Sequence, residues 1–204
     1  MLVVACNTAS AHSIPVLSEE LDIPVVGVIE PGAVAAIEAT GPGQIGVIGT
    51  FGTISSGAYE DIIQQRSEGR IRTAGEPCPL FVPLAEEGWL TGEVPSLVAR
   101  EYLGRLYDRM PDLDVLVLGC THYPILREMI QKEADAVFGR RVLLIDSGVS
   151  AAAVARMTLE YDDPLHLRDT AGKLRVFVTD TSRIREVGER FLGKPLTQVE
   201  RVDI

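Results

Sequence analysis

Two cysteines stand in matching settings. Val3-Val4-Ala5-Cys6-Asn7-Thr8-Ala9 and Val117-Leu118-Gly119-Cys120-Thr121-His122-Tyr123 each carry an apolar run of strand character into a cysteine, and a threonine follows within two residues. Open α/β folds gather their chemistry beyond the carboxyl ends of parallel strands. A thiol placed there, at the start of a following helix, is set to be held as a thiolate, because the positive end of the helix dipole favours the anion. Two such thiols can flank one substrate carbon from opposite sides. His122 can hold a proton or donate a hydrogen bond to Cys120. Thr8 and Thr121 offer hydroxyl and backbone donors to a carboxylate. A cysteine in an apolar run is more often a small core residue. That reading is taken for Cys78, in Glu76-Pro77-Cys78-Pro79-Leu80, where nothing polar follows. The shared strand–Cys–polar pattern favours function for Cys6 and Cys120.

Other chemistries find less support. There is no Cys-x-x-Cys pair, and Cys120-Thr121-His122 alone supplies too few ligands for zinc, so no metal site is expected. No Gly-x-Ser-x-Gly elbow occurs. Gly46, Gly49 and Gly52 lack the dinucleotide-binding spacing and read as a strand-to-helix turn with close backbone packing. None of the three lysines, Lys132, Lys173 and Lys194, sits at a strand's carboxyl end, which argues against a pyridoxal phosphate Schiff base. Net charge is −10, with no basic stripe, so nucleic acid is not the expected partner. Acidity does not exclude an anionic substrate, since helix-start N–H groups bind carboxylates without lysine. Three cysteines do not make a disulfide framework. No long apolar span suggests a membrane helix, and the start lacks a signal-peptide layout, so the expected location is cytoplasmic.

The elements that must position these residues follow from the hydrophobic pattern. Leu2–Ala5, Val25–Val28, Ile45–Ile48, Val115–Leu118, Val142–Ile145 and Leu174–Val178 read as strands, several without alternation, as in parallel sheets buried on both faces. Ala9–Leu21, Ala33–Ala39, Ser55–Arg66, Pro95–Arg109, Ile125–Phe138, Ser150–Tyr161 and Arg183–Leu192 read as helices, with Thr53, Ser55, Ser147, Ser150, Thr181 and Ser182 as candidate caps. Thr40-Gly41-Pro42-Gly43 reads as a turn, and Asp162 to Asp169 as a polar loop. This alternation predicts an α/β fold. A strand ending at cysteine recurs 114 positions apart, which two similar lobes facing one cleft would explain. The first strand candidate begins almost at Met1 with no strand before it, so residues upstream are expected.

Read together, several blocks resemble bacterial glutamate racemases. They are Ala5-Cys6-Asn7-Thr8-Ala9, Gly27-Val28-Ile29-Glu30-Pro31-Gly32, Ile45-Gly46-Val47-Ile48-Gly49-Thr50, Ser56-Gly57-Ala58-Tyr59, the stretch from Cys78 to Gly88, Leu118-Gly119-Cys120-Thr121-His122-Tyr123-Pro124 and Leu144-Ile145-Asp146-Ser147-Gly148. They run in the family's order. The resemblance implies cofactor-independent interconversion of L- and D-glutamate, the D-isomer entering peptidoglycan precursors. One cysteine, as thiolate, takes the α-proton, and the other, as thiol, delivers a proton to the far face. The physics agrees: inverting a stereocentre through a carbanion-like state needs acid–base groups on two faces in opposite protonation states.

By the same resemblance, Cys6 acts on the D-isomer and Cys120 on the L-isomer. His122 assists Cys120, and Glu86 is the acidic helper of that histidine, with Glu87 a close competitor. Asn7, Thr8, Thr50 and Thr121 bind substrate. Asp146-Ser147 is read as a helix cap rather than as catalytic. Aspartate racemases share the two-cysteine plan. Their second motif usually carries glutamate where this chain has His122, which favours glutamate as substrate.

The family opens with an Asp-Ser-Gly-x-Gly-Gly turn, whose aspartate assists the first thiol. This sequence has no counterpart to it. The implied fold is α/β, two similar lobes each with a mostly parallel sheet flanked by helices. The first lobe, residues 1–30 plus 144–204, is expected to be incomplete, and the second is 31–143. The alternative expectation is an inactive fragment. Helix faces such as Val98–Tyr107 mix apolar and charged positions and are compatible with a homodimer of unspecified mode, whereas nothing in the composition points to any other protein partner.

Overall fold

The computed structural model describes residues 1–41, 43–162 and 172–203. It forms two compact units, Met1–Asp163 and Pro164–Ile204. The first contains β1 (Leu2–Val4), α1 (Asn7–Glu20), β2 (Val25–Gly27), α2 (Ile29–Thr40), β3 (Gln44–Gly49), α3 (Phe51–Ser55), α4 (Ala58–Ser67), β4 (Arg72–Pro77), α5 (Phe81–Glu86), α6 (Glu93–Arg109), β5 (Val115–Gly119), a 3-10 turn (Tyr123–Leu126), α7 (Arg127–Phe138), β6 (Leu143–Asp146) and α8 (Ser147–Asp162). The second contains β7 (Val176–Val178), α9 (Ile184–Leu192) and β8 (Val199–Arg201).

All strand pairs among the described residues are parallel. The sheets are β1-β2, β4-β3-β5-β6 and β7-β8. Helices follow the strands as crossovers, so the architecture is α/β with parallel sheets flanked by helices, as the alternating pattern predicts. The unbroken apolar runs have their reason here: β5 is buried along its whole length and β3 at all but its first residue. Ile45, Ile48, Leu116 and Leu118 are fully buried. Each such side chain contributes about 1.5–3 kcal/mol relative to exposure.

Several boundaries differ from expectation. β4 was not anticipated, because Arg72-Thr73-Ala74-Gly75-Glu76-Pro77 is not an apolar run. As an edge strand paired only with β3 it tolerates both the charges and Pro77. The short β8 was also missed. The expected helix Ser55–Arg66 is two helices, α3 and α4, because Gly57 turns the chain with φ 69°. The cap of α3 is Thr50, whose side chain accepts from the Thr53 N–H, rather than Thr53 itself. The capping role read for Asp146-Ser147 falls to Asp146, whose Oδ1 accepts from the N–H groups of Gly148 and Val149, while Ser147 is the first residue of α8. Near α9, Ser182 donates to Asp180 and Arg183 takes the cap position. The Gly46, Gly49 and Gly52 segment is a tightly packed strand-to-helix turn as expected; a Cβ on Gly52 would lie 2.9 Å from Thr8 Cγ2. On α6, Tyr102, Leu103 and Leu106 are buried in the chain's own core, so the Val98–Tyr107 face is less apolar to solvent than its sequence implied. The expected loop from Asp163 to Asp169 and Pro42 of the expected turn lie outside the described residues.

Candidate active site

Register brings the chemistry to one edge. Gly49 of β3 lies opposite both Pro77 of β4 and Gly119 of β5, and Leu118 lies opposite Asp146 of β6. The next residues, Thr50, Cys78, Cys120 and Ser147, therefore leave the carboxyl edge of the sheet together. Strand order changes direction between β3 and β5, the kind of crevice where open α/β sheets bind ligands.

Cys120 is 6% exposed. Burial pushes its thiol up to about 11, opposed by hydrogen bonding from the His122 backbone, and an ionised Cys6 raises it further. The helix start expected after it is instead a turn leading into the 3-10 segment, so no long helix dipole offsets the desolvation. The Cys120 Sγ lies 3.9 Å from His122 Nδ1, and His122 Nε2 lies 3.1 Å from Glu86 Oε1. A line of thiol, imidazole and carboxylate results. Of the two adjacent glutamates it is Glu86 that reaches the histidine; Glu87 is the C-cap of α5 and is exposed. Thr121 Oγ1 is 3.3 Å from His122 Nδ1. Packing positions α5: the Phe81 ring meets Tyr102 and Tyr123 edge-on at 5.4 and 5.2 Å. The Tyr123 hydroxyl donates to the Cys78 carbonyl at 2.8 Å. Cys78 itself is wholly buried, with its thiol raised by burial, as its core assignment requires.

Cys6 follows β1 as the extended N-cap of α1 and is exposed. The first ladder bond runs from Ser10 N to Cys6 O at 2.8 Å, which leaves the N–H groups of Asn7, Thr8 and Ala9 without ladder partners. Thr8 Oγ1 lies 2.8 Å from Thr50 Oγ1 and 3.0 Å from Thr53 Oγ1, with Thr50 and Thr53 3.1 Å apart. This closed triangle of hydroxyls joins the Cys6 turn to the end of β3. Asn7 faces inward and is 2% exposed; its side chain accepts from the Tyr59 hydroxyl at 2.7 Å and points its amide nitrogen at Ser147 Oγ, 3.5 Å away.

The structure thus brings together Cys120, His122, Glu86 and Thr121 in one group, and Thr8 with Thr50 in another. Thr53, Tyr59 and Ser147 were given no site role from sequence. The only signals were the one-turn spacing of Thr50 and Thr53 and the place of Tyr59 and Ser147 in the quoted blocks. A cavity of about 510 Å³ is lined by Ala5, Cys120, Thr121, Asp146 and Ser147 among others. A larger one of about 990 Å³, lined mostly by apolar residues, with Glu30 and Glu38 among its lining, holds none of the cysteines. Among the described residues no group of three or more His, Cys, Asp or Glu is arranged to hold a metal, and no helix is long and apolar enough to cross a membrane.

The sequence profile of Asp/Glu/hydantoin racemases matches residues 1–155. A glutamate racemase of Geobacter metallireducens is 45% identical, covering all of this chain and 73% of its own length. Among solved structures, a glutamate racemase isoform from Bacillus anthracis superposes with a TM-score of 0.88 at 37% identity, covering 100% of this chain and 73% of that one. The glutamate racemase of Francisella tularensis, solved in complex with D-glutamate, gives 0.87 at 35% identity, covering 98% of this chain and 72% of that one. The profile covers most of the chain and the relatives match it along its whole length, so the chain belongs to the Asp/Glu/hydantoin racemase family.

Proposed function

We propose that the protein interconverts L- and D-glutamate, with Cys6 and Cys120 as its two acid–base groups, and so supplies D-glutamate for peptidoglycan. The Geobacter and Bacillus relatives carry the name glutamate racemase, and the Francisella structure holds D-glutamate. The observation that carries the reading is the line Cys120–His122–Glu86, a thiol joined to a route for its proton.

In this mechanism the thiolate of Cys6 takes the α-hydrogen of the D-isomer as a proton. The electron pair stays on the α-carbon and spreads into the carboxylate. The Cys120 thiol then delivers its own proton to the opposite face, leaving a Cys120 thiolate and the L-isomer. The reverse reaction starts from that state. Burial favours the protonated form of Cys120, and an ionised Cys6 favours it further, which suits Cys120 to hold the proton it delivers. His122, backed by Glu86, eases the proton on and off Cys120. Thr8, Thr50 and Thr121 donate to substrate oxygens, and Asn7 contributes its main-chain N–H at the start of α1, since its amide side chain is engaged by Tyr59 and Ser147.

The test is racemisation followed by circular dichroism in D₂O. Wild-type protein is expected to place solvent deuterium at the α-carbon of the product isomer. Cys6→Ala and Cys120→Ala are each expected to lower turnover by at least about a thousandfold. Ordinary turnover by either variant, or faster turnover with aspartate than with glutamate, rejects the assignment.

A further inference from the structure

Behind the proposed site runs a buried polar chain that joins the two cysteine turns. The Tyr59 hydroxyl, on α4, donates to Asn7 Oδ1 at 2.7 Å. Asn7 Nδ2 faces Ser147 Oγ at 3.5 Å, and Ser147 Oγ donates to the Leu118 carbonyl at 3.1 Å. Asn7 follows Cys6 in sequence, and Leu118 stands two residues before Cys120. Tyr59, Asn7 and Ser147 are 1%, 2% and 3% exposed. Each donor and acceptor is used in one consistent direction, so the Asn7 amide has a single orientation that satisfies the chain.

The surrounding backbone is shaped to admit this chain. A Cβ on Gly32 of α2 would lie 2.9 Å from Ser147 Cβ and 3.2 Å from the Tyr59 hydroxyl. A Cβ on Gly119 would lie 3.3 Å from Tyr59 Cε2 and 2.9 Å from the Ile48 carbonyl. The aromatic ring alone would fill this slot. A hydroxyl placed in dry surroundings needs a partner, and here its partner is the side chain beside Cys6.

We infer that Tyr59 is a positioning residue: through Asn7 and Ser147 it sets the Cys6 turn relative to the strand end that carries Cys120. Its phenol touches no reacting atom. It acts by fixing the amide on which the first turn of α1 rests, and with it the line of approach of the Cys6 sulfur. Ser147 serves the same brace from the other side. The consequence for turnover rests on the racemase reading; the brace itself does not.

Tyr59→Phe keeps the ring and removes only the hydroxyl. Two measurements on the full chain decide the matter, steady-state racemisation in both directions and amide hydrogen exchange. The variant is expected to lose about tenfold to a hundredfold in kcat both ways, with KM within about twofold, because misalignment touches the reacting geometry more than ground-state binding. Exchange is expected to quicken in residues 5–11 and 118–122 and to stay unchanged in α7. Ser147→Ala is expected to move both readouts in the same direction, and the double variant to do less than the product of the two, since both act on one amide. Wild-type kcat in Tyr59→Phe, or exchange that rises uniformly across the chain, overturns the inference and leaves a packing role. If wild-type protein does not racemise glutamate, the functional reading falls separately, and the localised exchange change alone confirms or rejects the brace.

Discussion

Cys120 and Cys6 are the same residue type in similar sequence contexts, yet their surroundings differ sharply. Cys6 is exposed at a helix start, whereas Cys120 is 6% exposed with its thiol raised to about 11 by burial. Thiolate is the reactive form. Below about 11 the thiolate fraction of Cys120 grows tenfold with each pH unit, and near neutrality it is of order 10⁻⁴. Iodoacetamide at pH 7 is therefore expected to label Cys6 well before Cys120 or Cys78. Peptide mass spectrometry should then show Cys120 labelling accelerate about tenfold per unit between pH 7 and 10. Equal labelling of Cys6 and Cys120 at pH 7 would mean that burial does not govern the Cys120 proton. This residue-scale asymmetry was not legible in the sequence, where both cysteines end apolar runs. The resemblance favoured Glu86, with Glu87 a close competitor. The choice between them depends on where α5 ends relative to His122, and aromatic packing of Phe81 against Tyr102 and Tyr123 decides that.

At the scale of elements, the site depends on how closely β3 and β5 approach. Gly119 ends β5 opposite Gly49, and a Cβ added to it would meet the Ile48 carbonyl at 2.9 Å, a backbone atom that cannot swing aside. Gly119→Ala is expected to destabilise the fold by about 1–3 kcal/mol, read as a lower denaturant midpoint at unchanged slope. Stability equal to wild type would show that the strands have room to spare. The central strands were readable because burial on both faces leaves an unbroken apolar run. β4 was not, since an edge position relaxes that demand and admits Arg72, Glu76 and Pro77. Helix starts were misplaced for a related reason. Thr50 caps α3 from just beyond the end of β3, so Thr53 and Ser55 just inside that helix looked like the caps themselves.

For the molecule as a whole, several buried acids share one bias. Burial raises the thiols of Cys78 and Cys120 and the phenols of Tyr59 and Tyr123 above their ordinary values. In the unfolded chain the thiols release protons near about 8.5 and the phenols near about 10. The folded state holds these protons longer, so it binds more of them across that range, and stability must fall as pH rises. The denaturant midpoint is expected to drop steadily from about pH 8.5 to 10.5 and to hold between about 7 and 8. A midpoint that held or rose up to pH 10.5 would contradict the burial of these groups.

Sequence alone determined the α/β class, the strands at the heart of the sheet, and the cysteines, histidine and threonines on which the chemistry is proposed to rest. These are local properties: an apolar run, a capping residue or a reactive side chain declares itself within a few neighbours. Tertiary structure alone decided that Thr53 closes a triangle with Thr8 and Thr50, and that Asn7 turns inward to Tyr59 and Ser147. Each of those meetings joins residues on elements distant in the chain. Parallel register and helix packing set such distances, and no short stretch of sequence contains them.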